Sequence, residues 1–187
     1  MWKDVSTSLR ACLATLSVCA VGYPALVFGF AQIAVPERAD GSLIRDDAGR
    51  VIGSQLIAQR FQRPEYVWPR PSAVDYDAAA TGGSNLSPTN PVLKARIAKD
   101  LLRFAATSSD PVPAELVMAS GSGVDPHVTL DGALYQAPRI AKVRGVSLSR
   151  VEGVLRSCSE SSLGSPALVN VLQANIALDR ALGSVSR

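Results

Sequence analysis

Histidine, cysteine and aromatic residues are scarce in this chain of 187 residues, which has one histidine, three cysteines and 5% aromatics. A single histidine excludes most histidine-based metal sites, and three cysteines are too few for a disulfide framework. The sequence has no GxxxxGK followed by Ser or Thr, no GxGxxG, no HExxH and no CxxC, which argues against a P-loop, a dinucleotide site or a zinc-protease helix. Basic and acidic residues are interspersed at a net charge of +3, without a basic run. The composition therefore predicts no metal site and no nucleic-acid partner.

Charged residues are missing altogether between Arg10 and Glu37. Of the 25 residues from 11 to 35, 19 are apolar, and as a helix they would extend about 38 Å, enough to cross a hydrocarbon core of about 30 Å. A secretory signal has an apolar core of only about 7–15 residues and a small-residue cleavage site, which is missing here. We therefore predict a retained transmembrane helix at residues 11–35, preceded by a short N-terminal tail at residues 1–10.

The rest of the chain is predicted to form one soluble domain of mixed α and β structure (α+β) at residues 53–187, after a juxtamembrane linker at residues 36–52. The clearest helix signal is Asn90, a capping residue followed by Pro91 and by apolar residues at helical spacing to about Ala106. Basic residues flank the apolar span on both sides, so their distribution leaves the topology open. A short leader before a long domain fits a cytoplasmic N-terminus and a soluble domain on the outer side.

Further elements are predicted from capping and helix-breaking residues. One helix begins near Leu130, is interrupted at Pro138 and ends at Gly145. Two others follow Ser147 and Asn170. Residues 54–61 are predicted as a short helix, residues 65–68 as a strand, and residues 116–119 as a short strand or the end of a helix.

A long loop between residues 70 and 91 is rich in proline and glycine, and loops of this length are often functional. The planar guanidinium of Arg70 has the geometry to bind a carboxylate or a phosphate; the simpler alternative is an ion pair with Asp75, Asp77 or the loop itself. The backbone N–H groups around Gly82 and Gly83 could form an anion-binding concavity. An exported module that binds a small anion is therefore one interpretation of this loop.

A second loop places Ser120, Ser122, Asp125 and His127 within eight residues. These residue types form the nucleophile, acid and base of serine hydrolases, so a membrane-anchored serine hydrolase is another interpretation. A hydrolase triad converges from separate elements, however, and one glycine-rich loop seldom gives that geometry. We favour a structural network in which Asp125 binds backbone amides and His127 closes a set of hydrogen bonds.

Several ordered motifs resemble the C chain of the Kdp-type potassium-transporting P-type ATPase, and the resemblance extends over nearly the whole chain. They are Gly53-Ser54, Arg70-Pro71-Ser72-Ala73, Tyr76, Gly82-Gly83-Ser84-Asn85-Leu86, Ala119-Ser120-Gly121-Ser122-Gly123, Asp125-Pro126-His127, Gln136, Arg139, Arg144-Gly145, Leu163-Gly164, Val169-Asn170-Val171-Leu172, Asn175 and Ala177-Leu178-Asp179.

The resemblance implies an accessory subunit of a four-chain, high-affinity potassium pump in the bacterial inner membrane. The implied partners are a channel-like potassium-binding chain, a P-type chain that hydrolyses ATP, and a very small membrane peptide. The chain lacks a DKTG phosphorylation motif, so we expect no catalytic residue and no cofactor of its own. ATP would act through the complex, and potassium would be the transported ion.

The resemblance also assigns expected roles to the two loops. We expect the domain to hold the complex together and to promote ATP use by the catalytic chain. Direct binding of ATP by the glycine-rich turn is the less favoured alternative. The candidate contacts to a partner or a nucleotide are Arg70, Gly82, Gly83, Ser84 and Asn85, and the structural network comprises Ser120, Ser122, Asp125 and His127.

Overall fold

A computed structural model describes residues 2–105, 107, 109–161 and 164–184 of the chain. It divides into two compact units, Met1–Leu43 and Ile44–Arg187. Helices and small sheets are both present, and one long apolar helix lies near the N-terminus. The predicted α+β fold class with a single N-terminal transmembrane helix is therefore confirmed.

The first unit is dominated by one helical segment, Trp2–Ala34, which is long and apolar enough to cross a membrane. It consists of α1 (Trp2–Leu16), a π-helical turn (Ser17–Gly22) and α2 (Tyr23–Ala34), and a short helix α3 (Pro36–Ala39) follows. Residues 2–10, predicted as a tail before the span, are therefore helical as well.

The π-helical turn ends at Gly22, two residues before Pro24. Proline has no N–H to donate, and its ring would collide with a carbonyl one turn earlier. The backbone N–H of Tyr23 donates to the carbonyl of Val18, five residues back. This wider turn accommodates the proline without ending the helix, as single π-helical turns do elsewhere.

The second unit contains short strands and five α-helices among its described residues. Strand β5 (Leu168–Asn170) lies between β3 (His127–Thr129) and β4 (Ser159–Glu160) in an antiparallel sheet, with Val169 opposite both Val128 and Ser159. Strands β1 (Leu43–Arg45) and β2 (Val51–Ser54) form a separate two-stranded sheet. The elements are β1 (Leu43–Arg45), β2 (Val51–Ser54), α4 (Pro91–Arg103), a 3-10 turn (Ala114–Leu116), β3 (His127–Thr129), α5 (Leu130–Tyr135), α6 (Ala137–Arg144), α7 (Leu148–Ser157), β4 (Ser159–Glu160), β5 (Leu168–Asn170) and α8 (Val171–Leu182).

The capping signals at Asn90 and Asn170 are confirmed, whereas Ser147 precedes α7 without a side-chain capping hydrogen bond. The side chain of Asn90 accepts a hydrogen bond from Val92 N, and that of Asn170 accepts one from Gln173 N, so each caps its helix. The helix interrupted before Pro138 forms α5 and α6, and Gly145 ends α6 with a left-handed φ of 66°. Helix α4 ends at Arg103 rather than near Ala106, which lies outside the described residues.

The core of this unit lies between α5–α8, β3 and β5. Its largest fully buried apolar side chains are Val67, Leu116, Val128, Ile140, Val151, Leu155, Val169 and Leu178.

The strand predicted at residues 65–68 is wrong, as is the helix at 54–61, whose first residue ends β2. Residues 65–68 are irregular although largely buried, because side chains replace the missing neighbouring strand. The Asn175 amide donates to Val67 O (3.0 Å) and accepts from Val67 N (2.7 Å). The Gln136 amide makes the same two bonds to Trp68, at 3.2 and 2.8 Å. Two amide side chains thus supply the bonds that a β-ladder would supply.

Two arginines of α6 complete this support. Arg139 donates to the carbonyls of Pro64 and Tyr66, and burial lowers the pKa of its guanidinium to about 10. Arg144 donates to the carbonyl of Glu65 at 2.9 Å. The guanidinium of Arg139 also lies over the Trp68 ring, 3.6 Å from its centroid. The side chains of α6 and α8 therefore fix the backbone that leads into the loop at residue 70.

Candidate functional site

The two loops selected from the sequence contact each other directly. Ser120 N donates to the carbonyl of Pro71 at 2.9 Å, and Gly82 N donates to the carbonyl of Ser122 at 2.8 Å. The structure thus brings the turn at residues 82–83 beside the loop that contains Ser120. We call the two segments, residues 70–85 and residues 119–127, the paired loops. Because the Gly82 N–H is already bonded, it is not available for the predicted anion-binding concavity.

Glycine is required where the paired loops approach most closely. Gly123 has a φ of +74°, and a Cβ there would collide with Val74 and lie 2.9 Å from the Gly82 carbonyl oxygen. A Cβ on Gly83 would lie 3.1 Å from the Gly121 carbonyl oxygen. Two backbones therefore meet without an intervening side chain, which explains why both loops are rich in glycine.

The two serines of the second loop bind backbone N–H groups. Ser120 is buried, and its Oγ accepts from Gly123 N at 3.1 Å. Ser122 Oγ accepts from Val124 N at 3.2 Å, and the two hydroxyls lie 3.2 Å apart. Both hydroxyls therefore stabilise the turn in which they lie.

Asp125 joins the two loops through its carboxylate. Its Oδ2 accepts from Arg70 Nη1 at 3.0 Å, and its Oδ1 accepts from His127 N at 3.0 Å. The His127 ring is 40% exposed, and its Nδ1 lies 3.7 Å from Asp125 Oδ1. Arg70 therefore pairs with neither Asp75 nor Asp77, the partners considered from the sequence, and Asp75 pairs with Arg60 instead.

The remaining candidate contacts lie at the edge of the paired loops. Ser84 is half-buried, whereas Asn85 is exposed and has a left-handed φ of 50°. Asparagine tolerates this conformation better than most residues. A role as partner contacts therefore remains a prediction for all five candidate residues, Arg70, Gly82, Gly83, Ser84 and Asn85.

The geometry does not favour a serine hydrolase. A serine nucleophile needs a hydrogen bond to its general base. Among the described residues, no hydrogen bond joins either loop serine to His127, and the Ser120 hydroxyl already accepts a backbone N–H. Within the same ranges, no three His, Cys, Asp or Glu side chains lie close enough together to hold a metal ion.

Sequence reasoning missed two residues that shape the first loop. Ser72 Oγ accepts from Tyr76 N at 2.9 Å, and the Tyr76 hydroxyl donates to the Arg70 carbonyl at 3.0 Å. Burial raises the pKa of the Tyr76 phenol, which therefore remains a neutral donor at physiological pH. Both residues belong to motifs of the family resemblance, the one sequence signal that could have identified them.

Replacing Asp125 by alanine should destabilise the domain by about 1–3 kcal/mol, because the Arg70 guanidinium and the His127 N–H lose their shared acceptor. Urea unfolding of the full chain in mild detergent would measure the loss. His127→Ala is the matched control, and we expect about 0.5 kcal/mol or less, because its side chain is substantially exposed. Equal losses for the two variants would contradict the network described here.

Comparison with known proteins places these features in a family. Residues 5–180 match the family KdpC, described as "K+-transporting ATPase, c chain". A protein of Parvibaculum lavamentivorans named "Potassium-transporting ATPase KdpC subunit" is 47% identical over 176 residues, which cover 92% of this chain and 94% of its own length. Proteins of the same name from Pseudomonas aeruginosa (47% over 178 residues, 95% and 97% coverage) and Myxococcus xanthus (46% over 192 residues, 98% and 90%) are also similar.

Proposed function

We propose that this chain, which belongs to the KdpC family, is a non-catalytic accessory subunit of an ATP-driven potassium uptake pump. The observation that carries the proposal is the family match over residues 5–180, which takes in both the apolar helix and the soluble domain. Relatives with the same subunit name are similar along more than nine-tenths of this chain. ATP and potassium would be handled by the complex.

The proposed partners are a channel-like potassium-binding chain, an ATP-hydrolysing P-type chain and a very small membrane peptide. Two features of the described residues support a role in assembly. The side chains of Ser120 and Ser122 bind backbone N–H groups of their own loop, and backbone hydrogen bonds join the two loops. A preorganised surface loses little conformational entropy on docking, which favours stable association.

The effect on ATP use would then be indirect. We propose that docking of the soluble domain changes the conformational equilibrium of the partner chains and so couples to nucleotide binding elsewhere. Such coupling is typically about 1–3 kcal/mol, or roughly 5–150-fold in affinity. It needs no nucleotide site on this chain.

We further propose that the Trp2–Ala34 helix anchors the chain in the bacterial inner membrane, with residues 44–184 on the outer side. Protease added to spheroplasts should then degrade the soluble domain, and protease added to sealed inverted vesicles should spare it. The reverse pattern would place the domain in the cytoplasm.

Deletion of residues 11–35 should abolish assembly and potassium-limited growth, because the soluble domain loses its membrane anchor. The measurement is growth at micromolar potassium of a strain lacking the native gene, with co-purification of a tagged copy from mild detergent. The full chain should restore growth and carry larger membrane chains with it. Purification of the full chain alone, with normal potassium uptake in cells that lack it, would refute the proposed function.

An unrelated apolar helix in place of residues 11–35 separates anchoring from specific contact. Restored growth would mean that tethering suffices. Failure to grow despite membrane insertion would mean that the native helix itself contacts a partner, through small residues such as Gly22 and Gly29.

A further inference from the structure

A cavity of about 680 Å³ lies between the first of the paired loops and helix α4. Its size is within the range of small-molecule sites. Neither the sequence motifs nor the family description assigns it a ligand. The residues on which the argument depends are Ser72, Tyr76, Arg96, Lys99, Asp100 and Arg103.

The wall formed by α4 carries more positive than negative charge. Arg96, Lys99 and Arg103 line the cavity together with a single carboxylate, that of Asp100. Arg96 Nη1 lies 3.2 Å from Asp100 Oδ2, so that carboxylate already has a cationic partner. Lys99 has no hydrogen bond or ion pair with any residue that the structure describes. At least one cation is therefore available to a ligand.

The two arginines also have donors that the protein uses incompletely. Arg96 donates from Nη1 to the Val117 carbonyl at 3.0 Å, but its Nε is buried without a partner. Arg103 donates from Nη2 to the Phe61 carbonyl at 3.2 Å, and burial lowers the pKa of its guanidinium. An anion beside these groups would offset part of their desolvation cost.

Tyr76, which lines the cavity, lies in a strained turn. Asp75 and Tyr76 both have left-handed φ values, 58° and 63°, which are costly for residues other than glycine. Ser72 Oγ supports the turn by accepting from Tyr76 N. Strained backbone of this kind often lines ligand sites, and here it places the tyrosine against the cationic wall.

We propose that this cavity binds a phosphate group, either free phosphate or the headgroup phosphate of an anionic phospholipid. Guanidinium and ammonium groups together form the usual protein site for phosphate oxygens, and the cavity has both. Leu102 also lines the cavity and is 81% exposed, which provides an apolar edge for a lipid chain. The site differs from the one considered around Arg70, whose guanidinium is paired with Asp125.

Trp68 provides an internal probe for the test. The sequence contains two tryptophans, so a Trp2→Phe chain retains only this one. Arg103, a cavity residue, lies with its Cζ 3.8 Å from the Trp68 ring centroid. A ligand that draws this guanidinium toward the cavity should change Trp68 fluorescence.

Inorganic phosphate would be titrated into the full-length Trp2→Phe chain in non-ionic detergent at fixed ionic strength. Lys99→Gln should weaken binding by about tenfold, the loss expected for one charge-assisted hydrogen bond. Lys94→Gln is the matched control: it lies on the same helix but does not line the cavity, and we expect a change below about twofold. Asp100→Asn should tighten binding, because it removes the only carboxylate among the described residues that line the cavity.

Mixed micelles that contain phosphatidylglycerol or phosphatidylcholine identify the source of the phosphate. A response to free phosphate with the variant pattern above supports a soluble ligand. A response to phosphatidylglycerol alone, with the same pattern, supports a lipid headgroup. No response to either probe, or equal weakening by Lys94→Gln and Lys99→Gln, would overturn the proposal. The measurement uses this chain alone, so its outcome is independent of whether the chain assembles into a pump.

Discussion

Replacement of Gly123 by alanine is expected to destabilise the soluble domain by about 3 kcal/mol or more. Its φ of +74° alone costs an L-residue about 1–2 kcal/mol. The new Cβ would also collide with Val74 and lie 2.9 Å from the Gly82 carbonyl oxygen, and overpacking of this kind adds about 1–3 kcal/mol. The loops must separate to relieve the collision, so the Gly82–Ser122 hydrogen bond should be lost as well.

Gly121→Ala is the matched control, because a Cβ on Gly121 meets no atom within 4 Å and its φ lies outside the left-handed region. We expect a change of about 0.5 kcal/mol or less for this variant. Urea unfolding of the full chain in mild detergent, followed by Trp68 fluorescence, measures both. If the two alanine variants unfolded at the same urea concentration, the close approach of the paired loops would be refuted.

The Gly123 variant also tests the proposed function. If the paired loops form part of the docking surface, Gly123→Ala should reduce co-purification with the larger membrane chains, while Gly121→Ala should leave it intact. Full assembly by a Gly123→Ala chain that is folded but less stable would exclude the paired loops from the docking surface. It would leave the family assignment unchanged.

The second large effect is expected for Arg144→Met, which should cost about 3–5 kcal/mol. The Arg144 side chain is 1% exposed and pairs with Asp179 at 2.8 Å. It also donates to the carbonyls of Glu65 (2.9 Å) and Gly183 (2.8 Å), which are far apart in the sequence. Without Arg144, the carbonyl of the buried Glu65 loses this donor, and the partly buried Asp179 carboxylate loses its cationic partner while keeping the Tyr66 hydroxyl. The loss of these bonds costs more than the net value of the ion pair itself.

Arg150→Met is its control, because this arginine is exposed and donates a single long hydrogen bond, 3.4 Å, to the Ala181 carbonyl. We expect a loss of about 0.5 kcal/mol or less. Thermal unfolding by far-UV circular dichroism would compare the two chains at equal detergent concentration. An Arg144→Met chain as stable as the Arg150→Met chain would show that residues 64–68 are held by other contacts.

A common principle underlies both variants: segments without regular structure are stabilised by groups from distant parts of the chain. Residues 64–68 form hydrogen bonds with two arginines and two side-chain amides, those of Arg139, Arg144, Gln136 and Asn175. In the same way, the Asp125 carboxylate binds Arg70. We expect the soluble domain to remain rigid where it lacks helices and strands. That rigidity suits a subunit proposed to act by docking.

The sequence predicted the features that depend on neighbouring residues. The apolar segment needs only length and absence of charge. Each cap, at Asn90 and at Asn170, needs only a backbone N–H donor two or three positions further along the chain. The break before Pro138 follows from one missing N–H and a fixed φ. The family was likewise identified from ordered motifs along the chain.

The tertiary structure alone decided which distant groups pair. A strand was predicted at residues 65–68, but a strand needs a neighbouring strand, and the amide of Asn175, 108 positions from Val67, takes that place. Likewise, Arg70 had nearby carboxylates in the sequence but pairs with Asp125, 55 positions away. A buried backbone or charged group needs a hydrogen-bond partner. Which partner lies within reach depends on how the helices pack.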